Sequence, residues 1–304
     1  MTGTIAEAFD AHRAFLFGLC YRMTGCAADA EDLVQDTFRR AIERPPSDLD
    51  APLRPWLTKV ATNLAIDALR QRKSRGYFGP WLPGPIEVER ISDGIEASPE
   101  ARVGVVESAT MAFLCALETL EPRARAALVL FDVIGMTSAE TAAILETTEG
   151  NVRVMLHRAR RTLDEAPRPR MDRETKARTA DVLRQLAFAI AARDVDSVVR
   201  LVATDVEMIT DANREYTAAV RVLRGRDDVA RFYRNIQVEV AVPDRVWEVE
   251  LNGLPALVVR FPPGDPKHAR EYALLPELDD EGRVRVMRSV LARRKLHGIR
   301  QLSA

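Results

Sequence analysis

The chain has 304 residues, 44 Lys and Arg against 45 Asp and Glu, and a formal net charge of −1. That length exceeds the usual single domain, so two or three are expected. A near-zero charge excludes a protein that binds polyanions through its overall field, and any attraction to nucleic acid has to be local.

The three cysteines, Cys20, Cys26 and Cys115, lack metal-ligand spacing and sit in or beside apolar helical patterns, which fits buried free thiols in a reducing cytosol. No metal site and no cofactor are expected. The longest uncharged run, 76–86, holds three prolines and cannot span a bilayer, and no basic segment followed by an apolar one opens the chain. The expectation is a cytoplasmic protein with no membrane association.

Residues 5–75 have helical periodicity throughout. Phe9, His12, Leu16, Leu19, Cys20 and Met23 form one stripe, closed by a turn at Thr24-Gly25. The next helix opens at Asp29 and turns Ala30, Leu33, Val34, Thr37 and Ala41 to a core. Its other side carries Glu31, Asp32, Gln35, Phe38, Arg39 and Ile42. Phe38 and Ile42, one turn apart among polar neighbours, predict a partner-docking surface, although single exposed apolar residues are common. A proline-rich loop covers 44–54. A helix over 55–73 follows, with Pro55 in its first turn where the missing amide costs nothing. Its predicted buried face is Leu57, Val60, Ala61, Leu64 and Ala68. About a quarter-turn away lie Trp56, Lys59, Asn63, Ile66, Asp67, Arg70 and Lys73. An aromatic, an amide and cations in one row suit a nucleic-acid strand whose bases stack and whose phosphates need neutralising. A Trp near a helix start is otherwise a core residue.

Periodicity stops over 76–106, where acids outnumber bases and prolines recur. This linker contains Tyr77-Phe-Gly-Pro-Trp-Leu-Pro-Gly-Pro85, and three aromatics in a linker predict docking on another surface. A second helical unit covers 107–170, with a stripe of Met111, Leu114, Leu117 and Leu120. Thr137 and Glu140 have the spacing of a capping box, and Thr148 caps a following helix over 151–163. At about 100° per residue, Val152, Met155, Leu156, Ala159 and Leu163 share one side of that helix. Arg153, Val154, His157, Arg158, Arg160 and Arg161 cover the other. Six arginines against two acids over 151–170 leave a local excess of four positive charges. An arginine-rich helix alone is commonly a solvated face. With a capped helix just upstream it reads as the second helix of a DNA-binding helix-turn-helix.

Residues 166–170 form a second joint. Beyond it, helices over 174–192, 195–201 and 225–233 accompany strands at 206–210, 237–242, 245–251, 254–261, 270–278 and 283–292, with hairpin signals at Asn252-Gly253 and Asp280-Glu-Gly282. This is an α+β pattern, a curved sheet wrapped on helices. Such a sheet can hold a pocket, and Asp211, Tyr216, Tyr233, His268 and Tyr272 are its candidate acid–base groups. No two of them have a spacing that implies joint chemistry, so structural roles are expected and no catalytic residue is assigned. The pocket either binds a small ligand or is packed shut by the linker aromatics, the second being preferred. The basic stretch 293–299 either touches DNA or is a solvated terminus, the second being preferred.

Three segments carry a resemblance. Asp29-Ala-Glu-Asp-Leu-Val-Gln-Asp-Thr-Phe38, Pro55-Trp-Leu-Thr-Lys-Val-Ala-Thr-Asn-Leu-Ala-Ile-Asp-Ala-Leu-Arg70 and Asn151-Val-Arg-Val-Met-Leu-His-Arg-Ala-Arg160 resemble, in order and spacing, the signatures of bacterial sigma-70-type factors of the extracytoplasmic-function (ECF) group. The tail resembles the SnoaL-like, ketosteroid-isomerase-like cone fold. The resemblance implies a multidomain chain: all-α sigma region two (1–75), a linker (76–106), an all-α helix-turn-helix region four (107–170) and an α+β SnoaL-like domain (171–304).

The implied partners are core RNA polymerase and promoter DNA. Asp32, Gln35 and Phe38, with Arg39 beside them, would meet the clamp helices of the largest polymerase subunit, and region four its flap region. Trp56, Lys59, Asn63 and Arg70, extended by Lys73, would meet the melted −10 element, Asn63 helping to hold an extruded base. Arg153, His157, Arg158 and Arg160, flanked by Asn151 and Arg161, would enter the −35 major groove or touch its phosphates. The subgroup with such a tail implies control by the chain's own C-terminal domain through Tyr77, Phe78, Trp81, Leu82, Pro83 and Asp211. It further implies a monomer with no dedicated anti-sigma factor. Two departures from the subgroup pattern stand out: Gly84 where Glu is usual, and Asp211-Ala-Asn-Arg-Glu215 where Asp-Gly-Gly-Gly-Lys is expected.

Overall fold

A computed structural model describes residues 2–48, 51–92, 107–164 and 172–302. Two compact units emerge, Met1–Gly76 with Glu87–Arg168 and Tyr77–Ile86 with Pro169–Ala304. The segment expected to be one linker is therefore divided, its aromatic half belonging with the tail.

The first unit is helical. α1 (Thr2–Thr24) buries Leu16, Leu19, Cys20, Tyr21 and Met23 and packs on both α2 (Ala27–Glu43) and α3 (Leu53–Arg75). A short turn, α4 (Glu89–Ser92), lies against α1. The second helical segment contains α5 (Met111–Leu117), α6 (Pro122–Leu128, running on as a π-type turn Val129–Val133), α7 (Ser138–Ile144) and α8 (Glu149–Asp164). Cys20 and Cys26 are buried as expected, burial pushing the Cys20 thiol up to about 12, whereas Cys115 is only half-buried.

The buried face of α3 differs from the periodicity-based expectation. Leu57, Thr58, Ala61, Thr62, Ala65, Ile66 and Leu69 are buried, while Val60, Leu64 and Ala68 stay half-exposed. The cause is tertiary: α1 and α2 pack on α3, and so do α6 and α7 of the second segment, which rotates the covered arc toward Ile66 and Leu69. Small Ala and Thr side chains permit that approach.

A charged cluster joins the two helical segments. Arg125, 2% exposed, donates through Nη1 to the Met23 carbonyl at 2.7 Å and meets Glu118 at 2.6 Å. Glu118 also pairs with Arg72, whose Nη1 donates to the Thr24 carbonyl at 2.8 Å. Burial lowers the Arg125 pKa and Glu118 opposes that fall.

The second unit has α9 (Arg173–Ala191), α10 (Val195–Leu201), α11 (Gly225–Glu239) and six strands, β1 (Val202–Asp211), β2 (Leu223–Arg224), β3 (Arg245–Leu251), β4 (Leu254–Arg260), β5 (Glu271–Leu278) and β6 (Val284–Val290). Their order is β2-β1-β6-β5-β4-β3, antiparallel except for the β1–β6 pair. The β3–β4 hairpin turns on Asn252 and Gly253, both at positive φ (53° and 81°).

The strand expected at 237–242 is instead the end of α11 and the loop after it. Tyr233 and Ile236 belong to the core cluster, so the helix already docked on the sheet continues through the alternating valines, leaving Val238 exposed. The Arg193 guanidinium then satisfies the freed Gln237 and Val240 carbonyls at 2.7 and 2.8 Å. The stretch expected to be a solvated terminus is a 3-10 turn, Arg293–Gly298, in which Lys295, Leu296 and Gly298 are buried.

The core lies between the helices and one sheet face: Leu183 and Leu186 of α9, Val229 and Tyr233 of α11, and Val206, Met208, Leu257, Leu274 and Met287 of the strands. Side chains alternate along a strand, so Met208 and Thr210 share the helix-facing side of β1 while Asp211 points to the other. Asp211, Val290, Ala273 and Val258 form one cross-strand row on that second face, all buried.

Glu118→Ala is expected to leave the Arg125 charge buried without its carboxylate. Breaking one side of a buried pair costs about 3 kcal/mol, which corresponds to a fall of roughly 6–12 °C in the first unit's melting temperature. Scanning calorimetry of the full chain measures this; a fall under about 2 °C would show that the cluster does not tie the helical segments together.

Candidate nucleic-acid interface and linker anchor

The helix-turn-helix is built as its sequence dictates. Thr137 Oγ1 accepts from the Glu140 amide at 3.2 Å, and the Glu140 carboxylate accepts from the Thr137 amide at 2.8 Å, completing the capping box. Between α7 and α8, Glu146 takes a positive φ of 49° and Thr148 caps α8 by accepting from the Asn151 amide at 3.2 Å. Val152, Leu156, Ala159 and Leu163 are buried; Met155, expected with them, is half-buried at the edge of the face. Asn151, Arg153, Val154, His157, Arg158, Arg160 and Arg161 are exposed.

These polar groups are not equivalent. Asn151 Nδ2 donates to Thr147 Oγ1 at 3.1 Å, which ties its amide to the turn. The Arg160 guanidinium donates to both oxygens of Asp132, through Nε at 3.0 Å, and lies over the Phe131 ring at 5.6 Å. That hydrogen bond raises its pKa. Arg153, Arg158 and Arg161 make no ion pair among the described residues. An exposed Val154 in their midst, 48% accessible, supplies an apolar contact of the type a thymine methyl takes.

On α3, Trp56 and Asn63 are half-buried and Arg70 and Lys73 exposed, while Ile66, expected in the same row, is 3% exposed and belongs to the core. Lys59 pairs with Glu146 of the helix-turn-helix at 2.9 Å, and Lys73 with Glu121 at 2.8 Å. The α3 row and the turn before α8 thus meet inside the first unit. On α2, Asp32, Gln35 and Arg39 are exposed, and Arg39 pairs with Asp36 at 3.0 Å. Phe38 corrects the expectation of an exposed docking residue: it is 5% exposed, with its ring edge-on to Phe9 at 4.8 Å. The α1 N-terminal half covers it, which heptad counting within α2 does not reveal.

In the second unit, Lys295 organises the linker. Its ammonium donates to Asp211 Oδ2 and the Leu82 carbonyl, and lies over the Tyr77 and Trp81 rings at 4.5 and 4.2 Å. Asp211 in turn accepts from the Tyr77 hydroxyl at 2.6 Å and the Leu82 amide at 2.7 Å. Phe78 stacks on the Arg214 guanidinium at 3.7 Å. Leu82 and Pro83 are buried, and Ile86 exchanges hydrogen bonds with Asn252, its carbonyl accepting at 2.8 Å and its amide donating at 3.2 Å. Gly84 has a steric reason: a Cβ there would lie 2.6 Å from the Lys295 carbonyl. Asn213 and Arg214 take positive φ values of 44° and 61°, so the loop keeps a backbone that favours glycine without having any.

A cavity of about 110 Å³ opens on the other sheet face, walled by α11, β1, β5 and β6 side chains. No linker residue is among its lining, so the expectation that the aromatics pack it shut is not met; they are engaged by Lys295 and Asp211 instead. Among the described residues no cluster of three metal-ligating side chains occurs, and no helix is long and apolar enough to cross a membrane.

The family model of sigma-70 region 2 matches residues 8–75 and that of sigma-70 region 4 matches 110–163. Over 227 residues the chain is 38% identical to the ECF RNA polymerase sigma factor SigJ of Mycobacterium tuberculosis, a match covering 74% of this chain and 70% of that protein. The chain belongs to the ECF sigma factors. It is also 35% identical over 219 residues to SigG of the same species, covering 66% of this chain and 59% of that one. The crystal structure of M. tuberculosis SigJ superposes with a TM-score of 0.70 at 31% identity, covering 96% of this chain and 98% of that chain. The third fold element of this ECF factor is accordingly a SnoaL-like α+β domain. Its relatives are transcription factors, and this sigma factor is not an enzyme. The candidate acid Asp211 is engaged by Lys295 and the linker and lies on the sheet face away from the cavity.

Sequence reasoning missed Lys295 because a basic C-terminal run is ordinarily solvated; the only signal was the Leu-His-Gly-Ile apolar and glycine pattern after it. Asp211→Ala is expected to leave the Lys295 ammonium buried and uncompensated, at a cost of about 3 kcal/mol, and to speed amide exchange across 77–86. Asp211→Leu combined with Lys295→Met should lose less than either single change. Hydrogen-exchange mass spectrometry of the full chain tests the pair; unchanged exchange at 77–86 in Asp211→Ala would remove it as the anchor.

Proposed function

We propose that this ECF sigma factor directs core RNA polymerase to promoters through two separate contacts and that its SnoaL-like domain adjusts them by holding the linker. The observation that carries the reading is the basic outer face of α8, where Arg153, Arg158 and Arg161 stand unpaired among the described residues on a capped helix-turn-helix. α8 enters the −35 major groove with Asn151, Arg153, Val154 and Arg158 toward the bases, His157 and Arg161 toward phosphates, and Arg160 held back by Asp132 as a positioning residue. Trp56, Lys59, Asn63, Arg70 and Lys73 follow the melted −10 strand. Asp32, Gln35 and Arg39 of α2 meet the polymerase clamp helices; Phe38 shapes that face from within.

Geometry then requires opening. The two promoter elements lie about 25 base pairs apart, roughly 85 Å of duplex at 3.4 Å per pair, whereas Lys59 and Glu146 touch at 2.9 Å. One rigid first unit cannot reach both. The exposed pairs Lys59–Glu146 and Lys73–Glu121 are each worth about 0–1 kcal/mol, so phosphates can displace them, while the buried Arg125–Glu118–Arg72 cluster and the apolar contacts hold the closed form. Polymerase supplies the spacing, and DNA binding by the free protein is weak. Regulation enters through Tyr77, Phe78, Trp81, Leu82 and Pro83: a linker held by Asp211 and Lys295 limits how far regions two and four separate. On this reading no dedicated anti-sigma factor is required, and the factor acts as a monomer.

Run-off transcription with core polymerase on a promoter library tests this. Arg158→Ala should lower transcript yield roughly 5- to 100-fold, the equivalent of about 1–3 kcal/mol for a lost base contact, and Arg160→Ala should cost less. Asp211→Ala should change yield while the first unit's melting temperature stays fixed. Wild-type yield from Arg158→Ala would overturn the α8 assignment, and wild-type yield from Asp211→Ala the regulatory one.

A further inference from the structure

The linker anchor makes no use of the cavity of the SnoaL-like domain. Its walls are mainly apolar, with Met208, Phe232, Ile236, Phe261 and Leu291 around an opening to solvent on one side. A dry apolar cavity of about 150 Å³ takes up benzene, and about 110 Å³ with an open side accommodates a single ring whose substituent points outward.

The wall also carries polar side chains, among them Thr217, Gln237, Tyr272 and Ser289, and three more, Thr210, Tyr233 and His268, keep unfilled hydrogen-bonding positions. Thr210 is 3% exposed and its Oγ1 has no hydrogen-bond partner. His268 Nε2 is buried without a hydrogen bond, the nearest carboxylate, Glu239, standing at 3.5 Å. The Tyr233 hydroxyl donates only to the Met287 sulfur at 3.4 Å, a weak acceptor, which leaves its oxygen lone pairs free. No carboxylate lines the cavity, and its one guanidinium, Arg193, is turned to the Gln237 and Val240 carbonyls. A cation finds no carboxylate in the wall itself, the nearby Glu239 standing behind His268. An anion finds an arginine already engaged. The wall therefore matches an uncharged ring with one hydrogen-bonding oxygen, since a buried site built to bond an oxygen discriminates strongly against the analogue without it.

The same strand carries the linker anchor. Thr210 and Asp211 are adjacent on β1 with opposite facing, and the amides of Leu291 and Ala292 both donate to the Asp211 carbonyl at 2.7 and 3.2 Å. Leu291 is a cavity wall residue. A ligand that moves Thr210 or Leu291 displaces the backbone that aims Asp211 at Tyr77 and Leu82.

We propose that this cavity binds a neutral, ring-sized apolar molecule bearing one hydroxyl or carbonyl oxygen, and that its occupancy is read by the Asp211–Lys295 linker anchor. The second half rests on the regulatory role proposed for the linker; the first does not.

Fluorine NMR of the full chain titrated with 4-fluorophenol, fluorobenzene and 4-fluorobenzoate tests the binding. Saturable binding is expected for 4-fluorophenol, at least tenfold tighter than for either of the others. Thr210→Val should weaken 4-fluorophenol about five- to tenfold and leave fluorobenzene within twofold. Ala218→Phe, which puts a ring in the place of a small wall residue, should abolish both. Equal affinity for 4-fluorophenol and fluorobenzene, or binding of 4-fluorophenol that Ala218→Phe leaves intact, overturns the site. Hydrogen exchange at 77–86 with saturating 4-fluorophenol is expected to change at least threefold; unchanged exchange removes the coupling while the NMR result stands on its own.

Discussion

A buried ammonium must be met on every side, and Lys295 is where the second unit meets that demand. Desolvating one charge costs several kcal/mol after relaxation, and the partner charge repays it only with good geometry and filled hydrogen-bond positions. Asp211 supplies the counter-charge, Leu82 a carbonyl, and Tyr77 and Trp81 their ring faces. Three of these four come from the linker, so the linker segment is as necessary to Lys295 as Lys295 is to it. The close approach extends along the backbone: Gly84 abuts Lys295, and at Gly298 a Cβ would lie 2.2 Å from the Pro85 carbonyl. A hydrophobic dock alone would tolerate sliding by a residue. A charge that needs one carboxylate, one carbonyl and two glycine passages does not.

The close approach at Lys295 accounts for Gly84, and the loop after Asp211 has its own local setting. A Glu at position 84 would need room that the Lys295 backbone occupies here. The loop after Asp211 keeps left-handed residues at Asn213 and Arg214, each costing about 1 kcal/mol or more for a non-glycine side chain. Arg214 recovers part of that cost by stacking on Phe78 at 3.7 Å. The linker and the loop are thereby joined by an aromatic–guanidinium contact between Phe78 and Arg214.

What the sequence made legible followed local physics. The capping box at Thr137 and Glu140, the two faces of α8, the hairpin at Asn252-Gly253 and the core stripe of α2 are each set by contacts within a few residues. That the linker docks was legible from its unusual wealth of aromatics, whereas the surface expected to receive them, the pocket, was the wrong one, and Asp211 as their partner was implied only by the family resemblance. What was illegible depended on partners far along the chain. The arc of α3 is set by α6 and α7, Phe38 is covered by α1, and the valines after Gln237 extend a helix because Tyr233 and Ile236 already hold it to the sheet. Lys295 lies 84 positions from Asp211, and no pattern near either residue announces the pair.

The two charged clusters also divide the work by their exposure. Arg125, Glu118 and Arg72 sit where water is largely excluded, so their loss is costly and they define a closed first unit. Lys59–Glu146 and Lys73–Glu121 sit in solvent, screened within about 10 Å at ordinary salt. A polyanion competes successfully with the second kind and not with the first. Lys59 and Lys73 are therefore held by contacts that a polyanion can displace, whereas separating the helical segments has to break the buried cluster. Exchanging two surface pairs, each worth about 0–1 kcal/mol, for phosphates releases too little free energy to break the buried cluster, so on the proposed reading nonspecific DNA alone does not open the first unit.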